Sequence, residues 1–469
     1  MTSTEAPTRD PLVVLRQPAT IRLRCAAITR SVADGLSPHF TLDRSKLDVA
    51  ADLVVSITRE RFPDGRIPPH SRWRHFEAGG VDRRAELDAL LAGRSPAEQA
   101  RAHFDLVVPS VLLDAGAGPQ WRYREHAATA DSLALPVQRR RTDDLIALLD
   151  RVGATPLAEA KARAALPPPV DDSAPAPGPG ALTRSEGLGV ASFRAFVSGV
   201  YSASADDPLR SDASTLRLID TAALRDVFQV STGNPLVGLE GRAGLLSRLG
   251  DALQAEADRN GGEARPGLLF DRLTDGGRRT EITATAMLHE VLRVLAPVWT
   301  SGPRVAGVLG GDVWAHRWAG SATADASIDR STPGWVPFHK LSQWLVYSLI
   351  EPLQWAGVQV AGVDALTGLP EYRNGGLLID AGVIVPRRPP DPQRSFKPAD
   401  ELVVEWRALT VTLLDELAVR VRAQLGVDAT QMPMSCLLEG GSWAAGRRLA
   451  GELRDGQPPY RIDSDGTVF

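Results

Sequence analysis

Apolar residues recur at helical spacing along most of the chain, and this pattern predicts a mainly α fold. Leu47, Val54 and Ile57 lie on one helical stripe. A longer stripe runs from Glu401 to Leu425 and stops at Gly426, a residue type that often follows the end of a helix. We therefore expect a helical body with a few short strands.

Other stretches follow the same spacing or interrupt it. Helices are predicted over residues 11–35, 142–153 and 281–298, and from Phe338 to a kink or end at Pro352. Residues 71–80 mix aromatic and basic side chains with two glycines and are predicted to form a loop. Residues 366–380 contain Gly-Leu-Pro and Asn-Gly-Gly, which predict turns on both sides of a short polar segment.

A Pro- and Ala-rich stretch at residues 165–181 divides the helical pattern. Its prolines prevent a regular helix or a sheet ladder. We interpret it as a loop or linker between an N-terminal helical lobe with pocket loops, residues 1–164, and a C-terminal helical lobe, residues 182–469. In a compact protein the same stretch can equally be an insertion.

Composition narrows the classes of function. Hydrophobic residues make up 43% of the chain and charged residues 23%, and the net charge of -4 gives no basic excess for binding nucleic acid. Two cysteines, Cys25 and Cys436, exclude a Cys-rich zinc site and a disulfide framework. The first residues have no signal-peptide pattern, and no run of about 18 apolar residues occurs. We therefore expect a cytoplasmic protein with no nucleic-acid or membrane partner; the oligomeric state is not indicated.

Three consecutive polar residues between the turns at 366–380 are the first candidate site. Glu371, Tyr372 and Arg373 supply a carboxylate, a phenol and a guanidinium, which we interpret as one wall of a pocket. Alternatively, Glu371 and Arg373 form a surface pair on a loop.

Asp114 is the second candidate, because an apolar segment stops there and continues into Gly-Ala-Gly. Its carboxylate then lies at the end of an element with little crowding, although a cap or turn role fits the sequence equally well. Lys340, Gln343 and Trp344 share one face of the helix after Phe338, and this face lines either a cavity or solvent. His75 is either a ligand contact or a structural histidine.

Four motifs resemble the uracil-catabolism family of fungi and bacteria, which is linked to the ribosylurea step of pyrimidine degradation. The similarity covers nearly the whole chain. Its most specific pieces are Ser110-Val-Leu-Leu-Asp-Ala-Gly-Ala-Gly, Phe338-His-Lys-Leu-Ser-Gln-Trp, Leu366-Thr-Gly-Leu-Pro-Glu-Tyr-Arg-Asn-Gly-Gly and Leu438-Glu-Gly-Gly-Ser-Trp.

A more distant similarity is to the queuosine-salvage N-glycosylases, helical nucleosidases with a DNA-glycosylase-like fold. Glu371 stands where that family has a base-binding aspartate, and Glu439 where it has another ligand-contacting acid. Ala444 stands where it has the catalytic aspartate. His75 lies in a segment similar to that family's ligand-contacting His-Glu loop.

These resemblances imply a DNA-glycosylase-like C-terminal lobe and an N-ribosidase that splits ribosylurea, or its 5-phosphate, into urea and ribose. The residues expected to act are the following: catalytic Glu439, Asp114 and Glu371, and substrate-binding His75, Lys340, Gln343, Trp344, Tyr372, Arg373 and Trp443. No metal or cofactor is expected. Ala444 favours the alternative, a non-catalytic binding or scaffold protein of the same pathway.

Overall fold

The computed structural model describes residues 12–114, 116–125, 180–300, 302–320, 332–391 and 393–463. The predicted helix at 142–153 lies outside the described residues, as does the linker at 165–181 except for its last two positions. The division into two lobes therefore stays a prediction.

The described residues are mainly helical, which confirms the predicted fold class. The α-helices are Leu12–Leu15, Pro18–Ala33, Leu47–Arg61, Arg72–Phe76, Arg83–Leu90, Pro96–Leu112, Arg184–Val197, Ala213–Leu216, Thr221–Val227, Leu239–Asn260, Leu268–Thr274, Ala284–Leu295, Lys340–Trp355, Tyr372–Asp380, Glu401–Leu425, Met434–Leu437 and Trp443–Arg454. Short 3₁₀ turns occupy Arg44–Lys46, Ala78–Gly80, Ala296–Val298 and Val363–Ala365, and Leu438–Ser442 forms a π-helical turn. The predicted likeness to DNA glycosylases stays a prediction.

The described strands are short and pair two by two. Antiparallel pairs join Phe40–Leu42 to Ile384–Pro386, Arg304–Val305 to Val308–Leu309, and Val313–Ala315 to Trp335–Pro337. Parallel pairs join Glu281–Thr283 to Gln359–Ala361, and Ser395–Phe396 to Arg461–Ile462. Three of these pairs connect distant parts of the chain, and the pair at 304–309 is a local hairpin. Within the described ranges, every helix is too short or too polar to cross a membrane.

The longest helix, Glu401–Leu425, has the bounds that its apolar pattern predicts. Trp406, Leu409 and Leu413 are buried in the core, and Gly426 ends the helix at a φ of 71°. Only glycine adopts such a left-handed conformation without a steric penalty. The helix packs against Pro18–Ala33 and Leu47–Arg61, so early and late parts of the sequence share one core.

The helix that carries Lys340 and Trp344 begins later and ends later than predicted. Phe338 donates its backbone N–H to the carbonyl of Asp312, and His339 has a φ of 47°, so the helix begins at Lys340. Pro352 lies near its C-terminal end, where a missing N–H removes one helical hydrogen bond, and the helix continues to Trp355. It packs against Pro96–Leu112, whose last turn lies next to Asp114.

The turn predicted at Asn374-Gly375-Gly376 is wrong, because these residues lie inside the helix Tyr372–Asp380. A β-carbon at Gly375 would lie 2.7 Å from the indole of Trp406, which also donates its Nε1–H to the Gly375 carbonyl at 3.1 Å. The glycine therefore allows two helices to approach closely instead of forming a turn.

Two further segments differ from prediction. Residues 72–76 form a short helix where a loop is predicted, and Glu281–Thr283 is a strand rather than the start of a helix. The strand forms because it pairs with Gln359–Ala361, a partner too distant in sequence for periodicity to reveal. Thr283 then caps the following helix by accepting the N–H of Ala286 at 3.2 Å.

Candidate active site

Asp114 lies just after the helix Pro96–Leu112, at an element end as the sequence predicts. A capping box formed by Ser95 and Glu98 fixes the start of this helix. The Asp114 side chain is only 7% exposed, and its Oδ1 lies 2.9 Å from Nη1 of Arg72. The site therefore contains a buried ion pair between residues 42 positions apart.

Hydrogen bonds to three segments hold Arg72 in place. Its Nε donates to the Ser110 hydroxyl at 2.7 Å, and its Nη1 donates to the Ser185 carbonyl at 3.2 Å. Its backbone N–H donates to the Ser348 hydroxyl at 2.9 Å. These bonds join four helices at Arg72, two of the bonds from its guanidinium and one from its backbone.

The Arg72 ion pair leaves polar atoms without partners. Among the described residues, Arg72 Nη2 and Trp344 Nε1 are buried and have no hydrogen-bond partner. Burial raises the pKa of Asp114, and the neighbouring Arg72 only partly offsets this effect. Buried donors are almost always paired in proteins, so two unpaired donors beside a carboxyl group with a raised pKa are typical of a ligand site.

Trp344 lies at the centre of the cluster. Its ring centroid is 5.7 Å from that of His75, 6.4 Å from that of His70, and 5.7 Å from Cζ of Arg72. Burial and the charge of Arg72 hold the pKa of His75 well below its usual value, so His75 is neutral near pH 7. A neutral imidazole in this position can accept or donate a hydrogen bond.

Glu439 lies on the π-helical turn Leu438–Ser442 and contacts the cluster through His70. A β-carbon at Gly441 would lie 2.5 Å from the carbonyl oxygen of Val54, so glycine permits this turn to pack on the helix Leu47–Arg61. Single π-helical turns are frequent at functional sites because they rotate side chains out of the regular helical register.

Two residues hold the Glu439 carboxylate. Arg61 donates from Nη2 to Oε1 at 2.7 Å, and His70 Nδ1 lies 2.8 Å from Oε2. Burial alone would raise the pKa of Glu439, but its hydrogen bonds with His70 and Arg61 and the charge of Arg61 outweigh burial and lower the pKa. Glu439 is therefore ionised near neutral pH and serves as the acceptor in its contact with His70.

Glu371 caps the helix Tyr372–Asp380. Its two carboxylate oxygens accept the backbone N–H groups of Arg373 and Asn374, each at 2.7 Å. Burial raises the pKa of Glu371, and these hydrogen bonds and the charge of Lys340 partly offset the increase. Each oxygen keeps a second lone pair that can accept a hydrogen bond from a ligand.

Three acidic side chains influence the pKa of Lys340. Burial lowers its pKa, the charge of Arg407 lowers it further, and Glu371, Asp312 and Asp114 act in the opposite direction. Glu371 and Asp114 therefore both favour the ammonium form of Lys340.

Trp443 and Tyr372 are two further aromatic residues among the predicted ligand contacts, and each packs against a different neighbour. The Trp443 ring centroid lies 6.1 Å from that of His70, and the Tyr372 ring centroid lies 4.6 Å from Cζ of Arg373. The contacts connect Asp114 to Arg72, Arg72 to Trp344, Trp344 to His70, and His70 to Glu439.

Gln343 differs from the other predicted ligand residues. Its Nε2 donates to the Phe338 carbonyl and to the Thr367 hydroxyl, and its Oε1 accepts the backbone N–H of Thr367. These bonds position the loop before Glu371. A direct contact of Gln343 with a ligand stays a prediction.

Sequence reasoning did not identify Arg72, His70 and Arg61 as site residues. Arg72 lies in the aromatic and basic segment 71–80, but no local signal indicates that it pairs with Asp114. Arg61 is separated from Glu439 by 378 positions and His70 by 369, so only the folded chain reveals these pairs.

The acidic side chains and histidines of the site do not form a metal-binding cluster among the described residues. In the part of the chain that the structure describes, no three His, Cys, Asp or Glu side chains lie close enough together to hold a metal ion. The expectation of chemistry without a metal stays a prediction.

The sequence of this chain matches a family profile along most of its length. A family profile described as "Protein of unknown function (DUF1688)" matches residues 14–140 and 177–469. The matched residues make up most of the chain, so the chain belongs to this family.

Two named proteins are similar to this chain along nearly its whole length. Protein urg3 of Schizosaccharomyces pombe is 33% identical over 458 residues, which cover 96% of each chain. Uracil catabolism protein 4 of Lachancea kluyveri is 34% identical over 468 residues, which cover 93% of each chain. These similarities confirm the predicted resemblance to the uracil-catabolism family.

Proposed function

We propose that this protein acts in uracil catabolism as an N-ribosidase that hydrolyses the C1′–N bond of ribosylurea, or of its 5-phosphate. The pathway is carried over from the name of the relative Uracil catabolism protein 4. The observation that supports the reaction best is the unequal environment of two buried acids, since the pKa of Asp114 is raised and that of Glu439 is lowered. Such a separation is typical of an acid and a base that share one site.

The chemistry requires stabilisation of two opposite charges. Breaking the C1′–N bond builds positive charge on the ribose and negative charge on the departing ureido group. In the proposal, Arg72 Nη2 and Trp344 Nε1 donate to the ureido oxygen, using the hydrogen bonds that the described residues leave unmade. Glu371 accepts ureido N–H groups, and Trp443 forms an apolar wall.

Proton transfer is assigned to the remaining polar groups. Because the Nδ1 of His70 is held by the ionised Glu439, its Nε2 is the nitrogen that can take a proton from water. The water oxygen bonds to C1′ as the C1′–N bond breaks, and Asp114 gives a proton to the ureido nitrogen. The products are urea and ribose, and solvent exchange returns the proton from His70 to Asp114.

Ala444 favours a second candidate function. It stands where the distantly similar queuosine-salvage glycosylases have their catalytic aspartate, and it packs against the hydrophobic core. A protein that has lost this carboxylate can still bind the metabolite without cleaving it. The alternative is therefore a binding or scaffold protein of the same pathway.

One experiment separates the two candidates. The purified protein is incubated with ribosylurea, and free urea is measured over time. A hydrolase releases urea in proportion to enzyme concentration, whereas a binding protein shows thermal stabilisation by ribosylurea without release. If Glu439→Gln and Asp114→Asn both released urea at the wild-type rate, the assigned roles would be wrong.

A further inference from the structure

Three arginines lie close together beside the candidate active site. Arg184 begins the helix Arg184–Val197, Arg373 lies in the first turn of Tyr372–Asp380, and Arg447 belongs to Trp443–Arg454. Burial lowers the pKa of Arg184, and the charges of Arg373 and Arg447 lower it further, while Tyr372 and Glu186 act in the opposite direction. Without a ligand, such a cluster of like charges is unfavourable, so its purpose requires an explanation.

Arg373 is almost completely buried and incompletely paired. It is 3% exposed, and its Nη1 donates to the Gly456 carbonyl at 3.3 Å. Its Nε has no hydrogen-bond partner among the described residues. A buried guanidinium N–H without a partner can bind an additional acceptor.

Arg184 reaches the same peptide from another direction. A β-carbon at Gly456 would lie 3.4 Å from Nη2 of Arg184, so both guanidinium groups lie against this glycine. Arg184 has a φ of 53°, an uncommon conformation for a residue with a β-carbon. Within the described ranges, no acidic side chain forms an ion pair with its guanidinium.

The third arginine and the neighbouring helix define the edge of this region. Arg447 is 2.8 Å from Glu186, so its charge is already partly neutralised. Thr183 makes no side-chain cap at the start of Arg184–Val197, and the acid in the first turn of this helix, Glu186, is the one that pairs with Arg447. Arg184 and Arg373 therefore carry the unneutralised charge.

We propose that Arg184 and Arg373, together with the Tyr372 hydroxyl, form a phosphate subsite, and that the substrate is the 5-phosphate of ribosylurea. This inference rests on the proposed function for the identity of the sugar. A phosphate monoester accepts several hydrogen bonds from planar guanidinium groups and balances their charge. The subsite is next to Glu371 in sequence, which puts the phosphate and the ureido group at neighbouring positions of one site.

The test is titration calorimetry of the full chain with inorganic phosphate, ribose 5-phosphate and ribose. Ribose 5-phosphate is expected to bind more tightly than ribose to the wild type. In Arg184→Gln and Arg373→Gln, affinity for both phosphate compounds is expected to fall about tenfold or more, while affinity for ribose is unchanged. Arg373→Lys keeps the positive charge but loses the planar set of guanidinium N–H donors. It is expected to bind the phosphate compounds more tightly than Arg373→Gln and less tightly than the wild type.

Arg448→Gln is the matched control. Arg448 lies on the same helix as Arg447, but it points to the surface and is 2.9 Å from Glu60. It is expected to bind all three compounds like the wild type. Far-ultraviolet circular dichroism verifies that each variant is folded. Arg184→Gln is the variant least prone to a folding defect, because Arg184 is half-buried and forms no ion pair among the described residues.

The results distinguish the subsite from the proposed function. If phosphate binding depends on Arg184 but ribosylurea and its phosphate are never cleaved, the subsite stands and the proposed hydrolase is wrong. If ribose 5-phosphate binds no more tightly than ribose, or if Arg184→Gln and Arg448→Gln bind it equally well, the subsite is overturned, whatever the enzyme cleaves.

Discussion

Two buried pairs of aspartate and arginine in this molecule differ in how completely they are hydrogen-bonded. Asp312 receives both Nη groups of Arg407 at 2.7 and 2.8 Å, the indole N–H of Trp314 at 2.7 Å and the backbone N–H of Lys340 at 3.0 Å. Asp114 lies 2.9 Å from Arg72, but its Oδ1 accepts no well-aligned hydrogen bond among the described residues.

The pKa values of the two aspartates follow this difference in hydrogen bonding. Burial favours the neutral form of both carboxyl groups, yet Arg407 and the other donors lower the pKa of Asp312 to about 2. The pKa of Asp114 is raised, because burial outweighs its contacts with Arg72 and Ser185 and the charge of Arg242. The saturated pair therefore stabilises the fold, whereas the unsaturated pair has the capacity to bind a ligand and transfer a proton.

The largest expected effect is on catalysis at the unsaturated pair. We predict that Asp114→Asn lowers kcat/KM for urea release by about 10² to 10⁴, the range typical of a lost general acid. Because burial disfavours the charged form of Asp114, whereas the pKa of Asp312 is lowered, Asp114→Asn should destabilise the fold less than Asp312→Asn does. Urea assays and chemical denaturation of the same preparation measure both. Wild-type kcat/KM in this variant would remove Asp114 from the mechanism.

The next effect is on stability at the saturated pair. Asp312→Asn leaves Arg407 buried without its counter-charge and is expected to lower the free energy of unfolding by about 3 to 5 kcal/mol. Chemical denaturation measures this loss, with Asp114→Asn as the matched control. Equal losses in the two variants would show that the two pairs do not differ as described.

Two tryptophans give a smaller and more selective comparison. Trp314→Phe removes a hydrogen bond to Asp312 and should reduce stability by about 1 to 3 kcal/mol. Trp344→Phe removes an N–H that has no partner among the described residues, so the hydrogen-bond contribution to stability should not change. We expect about a tenfold lower kcat/KM in Trp344→Phe if this N–H binds the ureido oxygen. Denaturation and steady-state assays measure both variants. The comparison is contradicted if Trp344→Phe loses stability while Trp314→Phe loses only kcat/KM.

The smallest effect is the pH dependence of stability. The lowered pKa of Asp312 means that the unfolded chain binds more protons, so its contribution is present above about pH 4 and is lost as pH falls towards 2. Asp114 has the opposite sign, because its raised pKa makes the folded chain bind more protons, and stability falls as pH rises through that pKa. Relative to wild type, Asp312→Asn should flatten the acid loss, and Asp114→Asn should flatten the opposite slope. Denaturation curves recorded from about pH 2, the lowered pKa of Asp312, up to neutral pH would refute this if both variants shifted in the same direction.

The sequence predicts features that depend on neighbouring residues. The bounds of Glu401–Leu425 follow from its own apolar stripe and Gly426, and the position of Asp114 at an element end follows from the residues around it. The helix Tyr372–Asp380 was not predicted, because glycines that admit the Trp406 indole look like turn residues in isolation.

Contacts between distant segments account for the rest of the site. Asp114, Glu371 and Glu439 were identified as candidate acids from sequence, but the partners that set their acidity were not. Arg61 and His70 precede Glu439 by hundreds of residues, and the charge state of a carboxyl group depends on such partners as much as on its own position.

The most direct test of the proposed site is a crystal structure of the protein with ribosylurea bound, using Asp114→Asn to prevent turnover. We predict that the ureido oxygen lies about 3 Å from Arg72 Nη2 or Trp344 Nε1 and that C1′ lies on the side of His70. Ribosylurea bound away from Trp344, with these two donors still unoccupied, would contradict it.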